Sequence, residues 1–197
     1  MPSLSMPFAQ REAGIFRYPS SQIRKLAWRL PLLLWRTGLA PLFWALPMVV
    51  MTTRGRKTGA PRRVMTDYTA IDGKTYVVPG WGRRNQWYRN MQADPHITVQ
   101  RSGQTYAARA VRVTDQGELA DIFCRVPRGN PMWKRFLRSW EIEDELQDFL
   151  AKSDRFVVVR LDRSEGPLPL PPLRVDLWWV WPSVVLAGTL AGRRRRG

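Results

Sequence analysis

One short stretch of this 197-residue chain concentrates groups that bind anions. The apolar and β-branched run from Met48 to Thr53 predicts a buried strand, and the turn-rich residues Gly55-Arg56-Lys57-Thr58-Gly59 follow it. Such a turn would bring two cations, a hydroxyl and unpaired backbone amides into one small volume, which suits a phosphate. The residue order is not that of a Walker P-loop, and no helix follows. The competing interpretation is a solvated basic turn.

A second stretch carries aromatic and amide side chains on a short predicted helix. Asn85 can cap a helix with Trp87, Tyr88 and Met91, which ends at Asp94-Pro95 because the residue before proline disfavours the helical region. An ordinary core helix is the competing interpretation. A strand-like run follows this helix.

Charge and composition narrow the classes of partner. The chain has 32 Lys and Arg against 16 Asp and Glu, a net charge of +16 that attracts phosphates, nucleic acid or an anionic membrane. Nucleic acid is the weaker interpretation, since no nucleic-acid-binding motif is recognisable. The single Cys124 excludes an internal disulfide, and Cys124 with the lone His96 makes no metal cluster, so we expect no metal site.

Strand patterns come early in the chain and helical patterns cluster late. This order indicates an α+β fold with an antiparallel sheet. Asp72-Gly73 and Ser102-Gly103 are hairpin signals. After the first strand we predict strands at Val64–Ile71, Thr75–Val78, His96–Arg101, Gln104–Val113 and Phe156–Val159, and helices from Asp115, around Trp133–Leu137 and at Glu141–Leu150.

Changes in composition divide the chain into four parts. We expect a basic and apolar helical extension at 1–46 and a folded domain at 47–163. A proline-rich linker at 164–176 would be extended and flexible, and a hydrophobic segment with an arginine tail occupies 177–197.

The two apolar ends suggest contact with a membrane. Leu30 to Met51 is about the roughly 20 residues that span a bilayer, but it contains Arg36 and three prolines, so an interfacial or packed helix is favoured. The apolar C-terminal segment has tryptophans at one end and Arg193–Arg196 at the other. An interfacial anchor, a short tail anchor and a helix docked on the domain all stay open. An anionic membrane surface, reached from the cytoplasmic side, is the expected location.

Both stretches resemble one known family. Thr52-Thr53-Arg54-Gly55-Arg56-Lys57-Thr58-Gly59-Ala60-Pro61-Arg62 is similar to the Thr-Thr-x-Gly-Arg-Lys-Thr-Gly-x-Pro-Arg element of the deazaflavin (coenzyme F420)-dependent nitroreductase and quinone reductase-like family. Trp87-Tyr88-x-Asn90-Met91-x-Ala93-Asp94-Pro95 resembles that family's Trp-Tyr-x-Asn-Leu-x-Ala-Asn-Pro element. Both elements occur in the family's order, with the Asp-Gly hairpin between them.

The resemblance implies a fold, a cofactor and a reaction. The fold would be a split β-barrel of the FMN-binding type, and the cofactor coenzyme F420, an 8-hydroxy-5-deazaflavin, in preference to FMN. Reduced F420 would give a hydride to a quinone-like or other conjugated apolar acceptor; a non-catalytic cofactor- or lipid-binding barrel is the alternative, and a homodimer stays open. The resemblance places cofactor contacts at Arg56, Lys57, Thr58, Arg63, Val64, Met65, Thr66, Asp67, Tyr68, Val78, Pro79, Gly80, Trp81, Gln86, Trp87, Tyr88, Arg89 and Asn90.

The chain departs from the nitroreductase members at the acceptor side. Gly80-Trp81 stands where those members have Ser-Lys, and their late pocket tyrosines are missing, which disfavours nitro reduction. An acceptor pocket would be lined by Trp133, Phe136 and Trp140 instead. The proton would come from water, from Tyr88 or at a backbone-polarised site, and the sequence does not choose among them.

Overall fold

The computed structural model describes residues 30–43, 46–127, 129, 131–180 and 182–183, and in that part of the chain one curled antiparallel sheet dominates. Its strands lie in the order β2-β1-β5-β6-β7-β4-β3. The two edge strands, β2 and β3, are separated in the chain by Tyr68 alone, so the sheet must curl until its edges approach each other. The strands are β1 (Met48–Arg54), β2 (Pro61–Asp67), β3 (Thr69–Ile71), β4 (Lys74–Val77), β5 (His96–Arg101), β6 (Gln104–Arg112) and β7 (Val159–Ser164). The expected α+β split β-barrel is confirmed.

Two tight hairpins set the register of the sheet. Asp72-Gly73 joins β3 to β4 with φ angles of 48° and 76°, and Ser102-Gly103 joins β5 to β6 with 48° and 77°. Both residues of each turn are left-handed, as the two-residue turns favoured by twisted strands require. The predicted hairpin signals therefore describe real turns.

Short helices cover the ends of the sheet. Asn85 caps α2 by accepting from the Trp87 N–H (3.4 Å), and Asp115 caps α3 by accepting from the Glu118 N–H (2.7 Å), as the cap residues predict. The helices are α1 (Leu30–Leu34), which continues as a π turn (Trp35–Leu39) and a 3-10 turn (Ala40–Phe43); a 3-10 turn (Gly82–Arg84); α2 (Gln86–Ala93); α3 (Gln116–Arg125); α4 (Pro131–Ser139); and α5 (Leu146–Ala151).

Two of the predicted strands differ from those observed. The strand expected at Val64–Ile71 is divided at Tyr68 into β2 and β3, and β2 begins earlier, at Pro61, because it pairs with β1 as far as Arg54. The last strand is Val159–Ser164, whereas Phe156–Val159 was expected. The run Phe156–Val158 is buried, and a continuous apolar run does not reveal by itself where ladder pairing starts.

The core is divided by the sheet into three clusters. The first lies inside the barrel, where Val49, Met51 and Val99 pack against α2. The second lies between the β3–β4 side and α3 to α5. The third covers the outer face of β1, where Val50 meets Trp35. Alternate residues of β1 thus face different clusters, as the period of a strand requires.

The proline-rich segment is fixed on the outer face of the sheet, where we expected a flexible linker. We call residues 165–177 the strap. The Leu170 N–H donates to Thr98 Oγ1 (3.2 Å), and that hydroxyl donates to Leu170 O (2.6 Å). The Leu173 N–H donates to Gln100 Oε1 (2.6 Å), while Gln100 Nε2 donates to Leu173 O (3.1 Å). The stretch is extended, as its prolines predict, but it is not free.

The N-terminal segment is tied to the strap. Arg36 donates to Asp176 through Nε (2.7 Å) and Nη2 (2.8 Å), and the Leu177 N–H donates to Arg36 O (2.9 Å). The arginine that argued against a membrane span is therefore paired. No helix in the described part of the chain has the length and apolar character to cross a membrane. Residues 1–29 and most of the C-terminal apolar segment, with Arg193–Arg196, lie outside the described residues.

We expect Gln100→Leu to lower the free energy of unfolding by about 2 to 4 kcal/mol. The change leaves two buried backbone groups of Leu173 without partners, at about 1 to 3 kcal/mol each. Urea denaturation measures the difference. Gln104→Leu, at an exposed position of β6, is the control and should stay within about 0.5 kcal/mol of the parent. Equal losses for both variants would show that the strap contacts add no stability.

Candidate functional site

The turn between β1 and β2 is closed by its own backbone. The Gly55 N–H donates to Ala60 O (2.9 Å), and the N–H groups of Thr58 and Gly59 donate to Gly55 O (3.1 and 2.7 Å). A Cβ at Gly55 would lie 3.0 Å from Ala60 O, so that position excludes a side chain. Gly59 has φ +68°, which favours glycine. Both motif glycines are thus explained by the turn itself.

The anion-binding groups of this turn are its side chains, and our expectation of free amides was mostly wrong. The Arg56 N–H donates to the Asn90 side chain and the Ala60 N–H to the Thr58 hydroxyl. From Gly55 to Ala60, the Lys57 N–H alone has no partner among the described residues. Arg56, Lys57 and Thr58 have exposed side chains, so they offer two cations and a hydroxyl to an anion.

Helix α2 holds this turn in place. Asn90 Oδ1 accepts from Arg56 N (3.3 Å) and Nη1 (3.1 Å), and Arg56 Nη2 donates to Gln86 Oε1 (3.0 Å). Asn90 Nδ2 donates to Thr53 Oγ1 (3.2 Å) at the end of β1. Arg54 pairs with Asp94 at 2.9 Å. The second sequence element is therefore the support of the first.

A pocket opens between the β3–β4 side of the sheet and the late helices. Its internal volume of about 60 Å³ has room for a few water molecules, at roughly 15 Å³ each. Its lining is largely aromatic and apolar, with a few polar groups at the strand side. The strand side is formed by Asp67, Tyr68, Thr69, Tyr76 and Val78, and the helix side includes Ile122, Met132, Trp133, Phe136 and Phe149.

Stacked aromatic rings form the helix wall. Trp133 stacks on Phe136 with ring centroids 5.4 Å apart and planes 17° apart, and both residues line the pocket. Trp140, which we predicted beside them, packs in the helical core and does not line the pocket. The indole Nε1 atoms of Trp133 and Trp140 are buried without a hydrogen-bond partner among the described residues.

The predicted cofactor residues divide into separate groups. Asp67, Tyr68 and Val78 line the pocket together with Trp133 and Phe136. Arg63 and Met65 face the outside: Arg63 Nη2 donates to Pro171 O (3.3 Å), and Met65 packs in the outer cluster. Their side chains therefore point away from the predicted cofactor site, because alternate residues of a strand face opposite sides of the sheet.

The other predicted residues lie on or behind these walls. Val64, Trp87 and Tyr88 pack in the barrel core, and Tyr88, the candidate proton donor, is 3% exposed and does not line the pocket. Thr66 Oγ1 donates to Asp67 Oδ1 (3.2 Å). The predicted set also contains Pro79, which is buried, Gly80 and Trp81, which are half-buried, and Arg89, which is exposed.

Sequence reasoning missed a charged network behind the pocket. The Tyr76 hydroxyl donates to Glu118 Oε1 (2.7 Å), which also accepts from Arg160 Nη1 (2.8 Å). Burial raises the pKa of the Tyr76 phenol well above its ordinary value, and the hydrogen bond to Glu118 adds to the rise. Burial alone would raise the pKa of Glu118, but hydrogen bonds from Arg160 and Tyr76 outweigh it and hold that pKa below its usual value. The one available signal was the acidic side chain of Glu118 in the first turn of α3.

This network predicts how stability depends on pH. Because the folded state depresses the pKa of Glu118, its pairing stabilises the protein above pH 4.5 and is lost as the pH falls through the lower folded-state pKa. Glu118→Gln should be less stable near neutral pH and lose less stability down to about pH 3. Urea unfolding at both pH values tests this, with the exposed Glu165→Gln as control. Parallel curves for parent and Glu118→Gln would contradict the assignment.

Comparison with known proteins places these observations in a family. The F420H(2)-dependent quinone reductase family matches residues 36–138, just over half of the 197 residues. Three solved structures resemble the fold loosely. An F420-H2 dependent reductase is 22% identical, with 59% of this chain and 95% of that chain covered and a TM-score of 0.39. A conserved hypothetical protein from Mycobacterium tuberculosis is 17% identical (65% and 79% covered, TM-score 0.42). HutZ, the heme storage protein from Vibrio cholerae, is 15% identical (66% and 90%, TM-score 0.36).

The family match spans both sequence elements, the barrel strands β1 to β6 and helix α4 with the aromatic wall. The turn and its supporting helix lie within the matched residues, and so do most of the residues that line the pocket. This chain belongs to the F420H2-dependent quinone reductase family, an oxidoreductase family whose cofactor is coenzyme F420.

Proposed function

We propose that the chain passes a hydride from reduced F420 to a quinone-type acceptor bound in the pocket between β3–β4 and the late helices. The observation that carries the proposal is the composition of this pocket. Tyr68 and Val78, which the family pattern assigns to the cofactor, share it with Trp133 and Phe136, which we assign to the acceptor. A flat conjugated molecule suits such aromatic walls.

The groups present fit the cofactor. F420 carries a phosphodiester and a polyglutamate tail, and its anions match the exposed cations of Arg56 and Lys57 and the hydroxyl of Thr58. Its ring matches a pocket lined by apolar and aromatic side chains. We assign Asp67, Tyr68 and Val78 to the ring side, and we leave out Arg63 and Met65 because they face the strap.

We propose that the walls of the pocket separate when ligands bind. Its enclosed part of about 60 Å³ has room for a few waters and is smaller than a flat conjugated ligand. Met132, Trp133 and Phe136 lie on one short helix that is packed mainly by side chains. The strand wall is held by ladder hydrogen bonds. We therefore assign the movement to α4.

When bound, reduced F420 supplies the hydride, and the chain must deliver a proton to the acceptor oxygen. Tyr76 is unsuited because its hydroxyl is held by Glu118 and its pKa is raised. The Tyr68 hydroxyl has no hydrogen-bond partner among the residues that the structure describes. The Arg101 guanidinium lies 4.5 Å from the Tyr68 ring centre and donates to Thr75 Oγ1 (2.6 Å), which fixes the ring. We assign the proton to Tyr68, which solvent then reprotonates.

Location follows from the acceptor. Quinones that carry apolar tails reside in membranes, so we propose that the protein works at an anionic membrane surface on the cytoplasmic side. The net charge of +16 and the apolar ends of the chain support this location.

Replacing both Arg56 and Lys57 with Ala should weaken F420 binding by about 2 to 4 kcal/mol, since each charge-assisted contact contributes roughly 1 to 2 kcal/mol. Fluorescence titration with F420 measures the change. The control is Arg109→Ala with Arg174→Ala, which removes the same charge from two exposed positions elsewhere. An affinity within about twofold of the parent for the first variant, or an equal loss in the control, would remove the assignment.

Tyr68→Phe should lower kcat for menadione reduction by about 100-fold, the lower end for general acid catalysis, with F420 affinity unchanged within about twofold. Steady-state kinetics and the F420 titration separate the two quantities. Tyr106→Phe is a matched control, because the Arg163 guanidinium lies 4.8 Å from the Tyr106 ring centre and Tyr106 does not line the pocket. If kcat survives in Tyr68→Phe, another donor protonates the acceptor.

A further inference from the structure

Large apolar side chains are exposed where the N-terminal segment meets the end of the strap. Trp178 is 63% exposed and Trp179 53%. Leu30 (54%), Leu33 (39%) and Val175 (46%) accompany them. We call these five residues the composite patch. Exposed tryptophans and leucines of this size, gathered from two segments, are typical of a contact surface.

The two halves of the patch are held together by direct bonds. The Arg36–Asp176 ion pair is bidentate, at 2.7 and 2.8 Å, and Leu177 N–H donates to Arg36 O. A spacing of three residues places Leu30, Leu33 and Arg36 along one side of their helical segment. Trp178 follows Leu177 directly in the chain, so the Leu177–Arg36 bond ties the tryptophan-bearing segment to the helical one.

The surroundings of the patch are basic. No Asp or Glu occurs from Ala13 to Thr66, and none occurs after Asp176. Asp176 is the one acidic residue of the two segments that carry the patch, 30–36 and 175–179, and Arg36 pairs with it. Arg174 is exposed two residues earlier in the strap. The stretches of sequence that carry this apolar, tryptophan-bearing surface therefore have an excess of positive charge.

We propose that the composite patch docks the protein on an anionic lipid bilayer, with both terminal segments entering the interface together. Tryptophan and leucine suit the boundary between headgroups and acyl chains, while arginine pairs with anionic headgroups. A second copy of the chain is a poorer occupant, because two such faces would repel each other. The proposal deepens the membrane location given above and does not depend on hydride transfer.

The Arg36–Asp176 pair has a defined part in this docking. It neutralises the carboxylate of Asp176, which would otherwise repel the lipid phosphates. It also fixes the strap to the helical segment, so the cost of ordering the two segments is met by folding before the protein reaches the membrane. Breaking the pair should therefore weaken lipid binding even though no apolar side chain is removed.

Co-flotation of the full chain with vesicles of phosphatidylcholine and phosphatidylglycerol tests the patch. Trp178→Ser with Trp179→Ser, and separately Leu30→Ser with Leu33→Ser, should each lower the partition coefficient by about tenfold or more. The parent should bind pure phosphatidylcholine vesicles much more weakly. Leu168→Ser, at another exposed apolar position, is the control and should bind like the parent. Thermal unfolding of each variant confirms that it is folded.

A second set of variants tests the ion pair. Arg36→Gln with Asp176→Asn should lower partition several-fold, about threefold to tenfold, and the exchange Arg36→Asp with Asp176→Arg should restore it. The control is Arg125→Gln with Asp72→Asn, which breaks an exposed ion pair of 2.8 Å at the β3–β4 hairpin and should leave the lipid partition coefficient unchanged.

Unchanged flotation of both serine pairs would overturn the proposal. It would also be overturned if the parent were a dimer in solution that the tryptophan variant converts to monomers without loss of lipid binding, since the patch would then join two copies. Reduction of menadione, a quinone without an apolar tail, should be the same in parent and patch variants when no vesicles are present. Loss of flotation with retained activity supports the docking surface, whereas absence of activity in the parent counts against the proposed reaction alone.

Discussion

The buried side chain of Asn90 is the contact on which the arrangement of the site depends. Its amide group donates to Thr53 at the end of β1 and accepts from both the backbone and the side chain of Arg56. Asn90 is 4% exposed, and its bond to Thr53 is buried while its bonds to Arg56 are partly buried, so they are costly to lose. The six-residue basic turn is thereby attached to a helix. The Arg56 guanidinium keeps a fixed direction.

This contact explains why the two recognisable sequence elements occur together. The first supplies the groups that meet an anion, and the second supplies the helix that orients them. Trp87 and Tyr88 serve the same purpose from inside the barrel, where they pack beneath β1. The sequence showed that these residues belong to one unit. It did not show that most residues of the second element are buried and support the turn from the inner side, because burial depends on the way a helix faces the sheet.

Other features were predictable in proportion to how local their causes are. The hairpins and the helix caps were predicted correctly because each is fixed by two to four neighbouring residues. Of the residues that we predicted for an acceptor pocket, Trp133 and Phe136 line the cavity and Trp140 does not, while Tyr76 and its partner Glu118 were not singled out. Those two residues are 42 positions apart, and nothing in the local pattern reveals such a pair. The docking of the strap was likewise hidden. Among the prolines, Leu170 and Leu173 keep an N–H to donate, and the acceptors lie more than 70 residues earlier on β5.

The single residue between β2 and β3 has a consequence for how this protein can diversify. Because those strands are the two edges of the curled sheet, Tyr68 lies where the barrel closes. The strand wall of the pocket therefore contains the place where the two edges of the sheet approach each other. A change there alters closure and ligand shape at once. The opposite wall is formed by side chains of α3, α4 and α5, which make no ladder hydrogen bonds with the sheet and can therefore be exchanged without breaking its pairing. A change of acceptor is therefore expected in the residues of the helices, whereas a change in the strands would also disturb the closure of the barrel.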